Sequence, residues 1–211
     1  MKILLVAGGL IQMEFARKYI EKNTFDSVIA IDRGLLFLNE LNKSPDYIIG
    51  DFDSLDVNLL SQFPNSKVHT LNPHKDYTDT HMALELAFSL QPTEITIIGA
   101  TGNRLDHMIA NVYLLSRCLE LEIFCKIIDE KNEMFLINKD TVIEKDNYFK
   151  YVSLLPFTDI VTGITLQGFL YPLENKTLTK AESIGISNEL LEKTAYISLS
   201  SGILIVVKSK D

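Results

Sequence analysis

Asp51 and Asp53 flank a single phenylalanine just after the apolar run Tyr47-Ile48-Ile49-Gly50. Side chains two positions apart in an extended chain point the same way, so the pattern predicts paired carboxylates at a strand end. Such a pair repels itself unless a cation lies between its members. A hard divalent metal such as Mg²⁺, held by carboxylate oxygens and completed by substrate phosphates, is the fitting occupant. Other apolar runs end in similar clusters. Ala7-Gly8-Gly9 and Asp32-Arg33-Gly34 are the first of these. Residues 72–79 bring Lys75 and Asp79, and residues 99–107 bring Thr101, Gly102, Arg104, Asp106 and His107.

These clusters need elements that carry them to one place. Up to about residue 129, short apolar runs alternate with helical patterns. Strands are expected over residues 2–7, 27–32, 46–50, 67–71, 94–99 and 123–128, with helices over 10–21, 35–41, 57–62, 78–90 and 105–121. Met82, Leu86 and Leu90, joined by Ala83 and Ala87, predict the stripe by which one helix packs on a sheet. Strand–helix repeats imply an α/β fold with a largely parallel, Rossmann-like sheet flanked by helices. Ligands of such sheets bind at the carboxyl ends of the strands, and that is the edge where the clusters gather.

Beyond residue 129 the helical pattern fades. Short runs at 133–137, 141–144, 151–155, 194–199 and 203–207 read as strands, separated by turn residues such as Pro156, Gly163, Gly168 and Pro172. The expected organisation is an α/β domain over 1–131 and an antiparallel β-sandwich over 132–211. Roughly 80 residues is a small independent core, so support from elsewhere, including a second subunit, is expected.

A net charge of −8 argues against a nucleic-acid partner, which calls for a basic face. It leaves phosphate ligands open, because a bound metal supplies positive charge. No stretch approaches a membrane span, and the apolar start is interrupted by Gly8-Gly9 before it resembles a signal peptide. Cys118 and Cys125 fit neither zinc nor disulfide spacing, so buried thiols in a reducing, cytoplasmic compartment are expected. Simpler roles compete at single positions. Asp79 and Asp106 could cap helices, Asp32 could serve a turn, and His107 could be a helix-face residue. Lys75 and Arg104 would place positive charge beside phosphates.

Taken in order and spacing, Asp32-Arg33-Gly34, Gly50-Asp51-Phe52-Asp53-Ser54, Asp76-Tyr77-Thr78-Asp79 after Lys75, and Gly102-Asn103-Arg104-Leu105-Asp106-His107 resemble thiamine pyrophosphokinases. The resemblance continues through Gly168-Phe169-Leu170-Tyr171-Pro172-Leu173, Gly185-Ile186-Ser187-Asn188 and Ser201-Gly202-Ile203-Leu204. It implies a nucleotide-binding catalytic α/β domain, a thiamine-binding and dimerising sandwich, and a homodimer whose active site is shared between subunits. It further implies transfer of the pyrophosphoryl group of ATP to the hydroxyl of thiamine, giving thiamine diphosphate and AMP. By motif, Asp51, Asp53 and Asp79 look like the Mg²⁺ and phosphate-side carboxylates, with Asp106 in the same acidic site. Asp32, Arg33, Gly34, Lys75, Thr101, Gly102, Arg104 and His107 look like the nucleotide side, and Ser187 and Asn188 like the thiamine side. The sequence departs from the family at Asn103, where Gly is frequent, and in having no Trp.

Alcohol attack on phosphorus needs positioning and charge neutralisation, which fits an acidic metal site, and Asp106 is a candidate to take the hydroxyl proton. Three rivals share the pattern. A pyrophosphokinase acting on another alcohol, such as a hydroxymethylpterin, would release AMP in the same way. A Mg²⁺-dependent phosphohydrolase would need no acceptor. A nucleotide sensor would bind without turnover. Asp53→Asn is expected to cut turnover by orders of magnitude with an unchanged melting transition; near-normal steady-state rates would remove Asp53 from the catalytic site.

Overall fold

The apolar run Ile3-Leu4-Leu5-Val6 is buried along its whole length, as a strand covered on both faces must be. It forms β1 (Lys2–Val6) at the centre of a parallel sheet. The computed structural model describes all 211 residues except 53–56, 73–75 and 103, and only the backbone of Val57. The chain divides into two compact units, Met1–Glu130 and Lys131–Asp211.

In the first unit β1 is followed by α1 (Met13–Lys22), β2 (Ser27–Ile31), α2 (Gly34–Glu40), β3 (Tyr47–Gly50), α3 (Val57–Leu60) and β4 (Lys67–Thr70). Then come α4 (Asp79–Ser89), β5 (Glu94–Ile98), α5 (Leu105–Glu120) and β6 (Phe124–Ile128). Every neighbouring pair is parallel, in the order β6-β5-β1-β2-β3-β4. The chain therefore walks from β1 outward to β4, then crosses over to β5 on the other side of β1. That reversal opens a crevice between the loops that follow β1 and β5.

Two expectations change here. Helix α1 begins at Met13, not at residue 10, because the Gln12 side chain accepts from the Phe15 N–H at 2.6 Å and supplies the cap. The buried stripe of α4 is Thr80, Ala83, Leu84 and Ala87, while Met82, Leu86 and Leu90 are only partly buried. The small residues let α4 lie close over β2 and β3, and the larger ones flank that line.

The second unit pairs β7 (Asn132–Ile137), β9 (Tyr151–Pro156), β12 (Asn188–Glu189) and β14 (Leu204–Ser209) into an antiparallel sheet ordered β12-β9-β14-β7. Its other sheet is β11 (Leu173–Thr179), β10 (Ile160–Gln167), β13 (Thr194–Ser198) and β8 (Thr141–Glu144). Phe135, Leu154, Val161, Ile164, Ile197 and Val206, drawn from both sheets, share one core, so this unit is a β-sandwich. The fold is thus α/β with a C-terminal β-sandwich.

Strands β10, β11 and β12 are additions to the sequence reading. Gly163 read as a turn, but it lies within β10 at φ +70°, where the register of pairing with β11 shifts. A bulge of this kind hides the period-two pattern. Strand β11 is a mostly exposed edge with little apolar alternation to read. Cys118 and Cys125 are free and buried, as expected. Among the described residues no helix is long and apolar enough to cross a membrane.

The first turn of α2 lies hard against the end of β1, where a side chain on Gly34 would collide with the Val6 carbonyl oxygen. Among the described residues beyond its chain neighbours, by contrast, none comes closer than 3.5 Å to such a position on Gly102. Gly34→Ala is therefore expected to lower stability by about 1–3 kcal/mol in urea unfolding. Gly102→Ala should stay within about 0.5 kcal/mol of the parent. Equal effects of the two substitutions would contradict the packing described.

Candidate active site

A cleft of about 690 Å³ opens at the carboxyl ends of the parallel strands, within the range of small-molecule sites. Its floor is backbone. The Ala7 N–H donates to Ile98 O at 2.8 Å, and the Gly9 N–H donates to Gly99 O at 2.9 Å, so the loops after β1 and β5 run side by side. A side chain on Gly9 would strike the Gly99 carbonyl, which is why this approach needs glycine. The β5 loop is anchored from below at two points. Thr101 Oγ1 donates to Asp129 Oδ2 at 2.8 Å, and Asn111 Nδ2 donates to Ala100 O at 2.9 Å.

Acidic side chains enter from the neighbouring strands. Asp32, directly after β2, sits at φ +47°, a left-handed conformation that Asp tolerates better than most residues. Asp51 follows β3, and Asp79 opens α4; all three line the cleft. The cap of α4 comes from Thr78, whose Oγ1 accepts from the His81 N–H at 3.2 Å. Capping therefore does not explain Asp79, which instead places a negative charge in the first turn of the helix.

The strand ends at Gly50, and Phe52, two residues on, sits at φ +60°, so extended backbone does not continue through it. The Phe52 ring packs where a Gly50 side chain would be, 3.3 Å from that position. A left-handed aromatic residue is strained, and such strain gathers at functional loops. Asp53 and Lys75 lie outside the described residues.

Arg33, Thr101, Gly102, Arg104 and His107 also line the cleft. Gly34 does not; it packs beneath it against β1. Asp106 is likewise outside the lining and is held from two points by Arg104, Nη2 to Oδ2 at 2.6 Å and Nε to Oδ1 at 3.2 Å. The Arg104 hydrogen bond is the main cause of its pKa falling to about 2. Asp106 and Arg104 thus form an exposed two-point pair at the start of α5.

In the second unit, Ser187 is exposed at φ +55°, and its N–H donates to Ser153 Oγ at 2.9 Å. Asn188 is buried and its amide is consumed internally. Its Oδ1 accepts from the Tyr171 and Glu189 N–H groups, and its Nδ2 donates to Tyr171 O at 2.8 Å. Asn188 therefore clamps the chain at Tyr171, next to the exposed Ser187.

Asn111, Tyr77 and Thr80 line the cleft without having stood out in sequence. Asn111 had a readable signal. It shares the buried i, i+4, i+7 stripe of α5 with Leu115 and Cys118, a place where a lone amide needs a reason.

A switch-point cleft with a glycine-lined backbone floor, edged by three carboxylates, defines an α/β protein of the class whose ligands bind at the carboxyl ends of parallel strands. Residues 17–127 match the family pattern of "Thiamin pyrophosphokinase, catalytic domain", and residues 140–204 match "Thiamin pyrophosphokinase, vitamin B1 binding domain". The chain is 34% identical over 186 residues to the thiamine pyrophosphokinase of Bacillus subtilis (strain 168), covering 87% of each. The crystal structure of thiamine pyrophosphokinase from Bacillus subtilis superposes with a TM-score of 0.90 at 33% identity over 100% of both chains. That from Geobacillus thermodenitrificans gives 0.89 at 34% identity, over 100% of this chain and 98% of the other. The chain belongs to the thiamine pyrophosphokinase family and is accordingly an enzyme, a transferase of thiamine metabolism.

A carboxylate with a depressed pKa stabilises the fold above its unfolded-state value and loses that contribution as pH falls through the folded-state value. For Asp106 the window runs from the ordinary 3.8 down to about 2. Carboxyl NMR titration is expected to place its midpoint near 2, and Arg104→Gln should return it toward the ordinary range. A midpoint insensitive to that substitution would contradict the pairing.

Proposed function

We propose that this chain transfers the pyrophosphoryl group of ATP to the hydroxyl of thiamine in a Mg²⁺-dependent reaction, releasing AMP. The observation that carries the proposal is the gathering of Asp32, Asp51 and Asp79 over a backbone floor of glycines at the switch point, in a chain of this family. The β5 loop and the adjoining start of α5 receive phosphate oxygens through backbone N–H groups, with Arg33 and Arg104 adding positive charge. Asp32 belongs to the nucleotide side of the site.

Among the described residues no three His, Cys, Asp or Glu side chains form a ready metal cluster. Mg²⁺ does not require one, since it is commonly held by one or two carboxylates together with substrate phosphates and water. Asp51 and Asp79 are hard oxygen donors in one cleft and fit that chemistry, with Asp53 as their proposed companion. When bound, the metal neutralises charge on the phosphates and on departing AMP.

The reaction is then positioning. The thiamine hydroxyl oxygen bonds to the β-phosphorus of ATP, and the bond from that phosphorus to the α–β bridging oxygen breaks. The bonding pair stays with AMP, and the hydroxyl proton passes to a carboxylate of the cleft or to solvent. Thiamine carries a positive thiazolium ring, which the net charge of −8 favours. Its pocket is proposed to be completed by Ser187 of the sandwich, in a homodimer whose site draws on both subunits. A cytoplasmic setting fits the reduced Cys118 and Cys125.

Asp51→Asn and Asp79→Asn are each expected to lower thiamine-dependent AMP formation by about 100-fold or more while leaving the melting transition in place. Near-parental rates in both variants would sink the site assignment. AMP or phosphate formed equally without thiamine would replace the transferase reading of the cleft by hydrolysis.

A further inference from the structure

Asn111 is 7% exposed, yet it lines the cleft. Its Nδ2 donates to the Ala100 carbonyl oxygen at 2.9 Å. A carbonyl oxygen only accepts, so the amide is fixed with nitrogen toward the β5 loop and Oδ1 turned away from it. Among the described residues no donor reaches that Oδ1. It is not sealed from solvent, since Thr96 Oγ1 is the one enclosed side-chain polar atom without a partner among the described residues, so Oδ1 is open to a donor on a bound ligand.

The chemistry of the missing partner is constrained. Ionised phosphate oxygens only accept and would meet Oδ1 lone pair to lone pair. The donors that ATP offers are its ribose hydroxyls and the exocyclic amine of its base. We propose that Asn111 binds the nucleoside half of the nucleotide, with Oδ1 accepting from one of these donors while Nδ2 holds the loop beneath the phosphates. The inference rests on the nucleotide reading of the cleft. It would couple both halves of the nucleotide through one side chain, because the amide that reads the nucleoside also fixes Ala100, next to Thr101 and its bond to Asp129.

The test is calorimetric titration of the full chain, with Mg²⁺ and without thiamine. The ligands are α,β-methylene-ATP, its 2′-deoxy and 3′-deoxy forms, and the form lacking the exocyclic amine. In the parent protein one of these deletions is expected to weaken binding roughly ten-fold or more. In Asn111→Ala the same deletion should cost little, with the parent nucleotide itself bound more weakly. Asn111→Asp keeps the shape and an acceptor but repels the Ala100 carbonyl. It should bind the nucleotide more weakly yet still discriminate against the same analogue, which a merely structural role would not produce. Discrimination that is absent from the parent protein, or equal in the parent and Asn111→Ala, overturns the inference alone. Failure of the parent to bind α,β-methylene-ATP overturns the nucleotide reading and this inference with it.

Discussion

The pairing of β1 with β5 is the constraint on which the site depends. Five residue pairs in parallel register, from Lys2 with Glu94 to Val6 with Ile98, bring the ends of both strands to the same level. The strands then part in opposite directions of travel, and the Gly9 N–H to Gly99 O bond keeps their loops together for one more step. A shift of one residue in this register would exchange side chains between the two covered faces of the sheet and carry the loops out of step. The cleft is thus a property of the sheet, and the loops only give it chemical character.

Electrostatics follow from that geometry. Parallel strands deliver Asp32 and Asp51 to one edge, while α4 adds Asp79 with its cap already supplied by Thr78. Negative charge collected this way demands a counter-charge. Arg33 and Arg104 provide part of it, and Asp106 keeps Arg104 in a fixed two-point pairing. Metal and nucleotide would complete the balance, each neutralising what the other leaves uncompensated.

Much of this was legible in the chain. Uniform apolar runs such as Ile3–Val6 announce strands covered on both faces, and polar residues placed directly after them mark the carboxyl edge. What could not be read was local and geometric. Nothing in Asp51-Phe52-Asp53 reveals that Phe52 is left-handed, because a bulky aromatic residue rarely adopts that conformation. Gly163 looks the same in a turn and in a bulged strand. Asn188, in a motif that suggested substrate contact, spends its amide on the neighbouring backbone, and only hydrogen-bond accounting exposes this. Asn111 shows the reverse case, a helix-interior amide whose importance comes from the loop beside it.

The central claim is that the switch-point cleft holds ATP so that a thiamine oxygen attacks its β-phosphorus. The most direct measurement follows a radiolabel placed on the β-phosphorus of ATP through a single turnover with thiamine and Mg²⁺. The account predicts that the label leaves with thiamine as thiamine diphosphate, in step with unlabelled AMP. Label retained in ADP would mean transfer of the terminal phosphoryl group alone. Label released as free pyrophosphate would mean water, not thiamine, is the acceptor; either result would contradict the account.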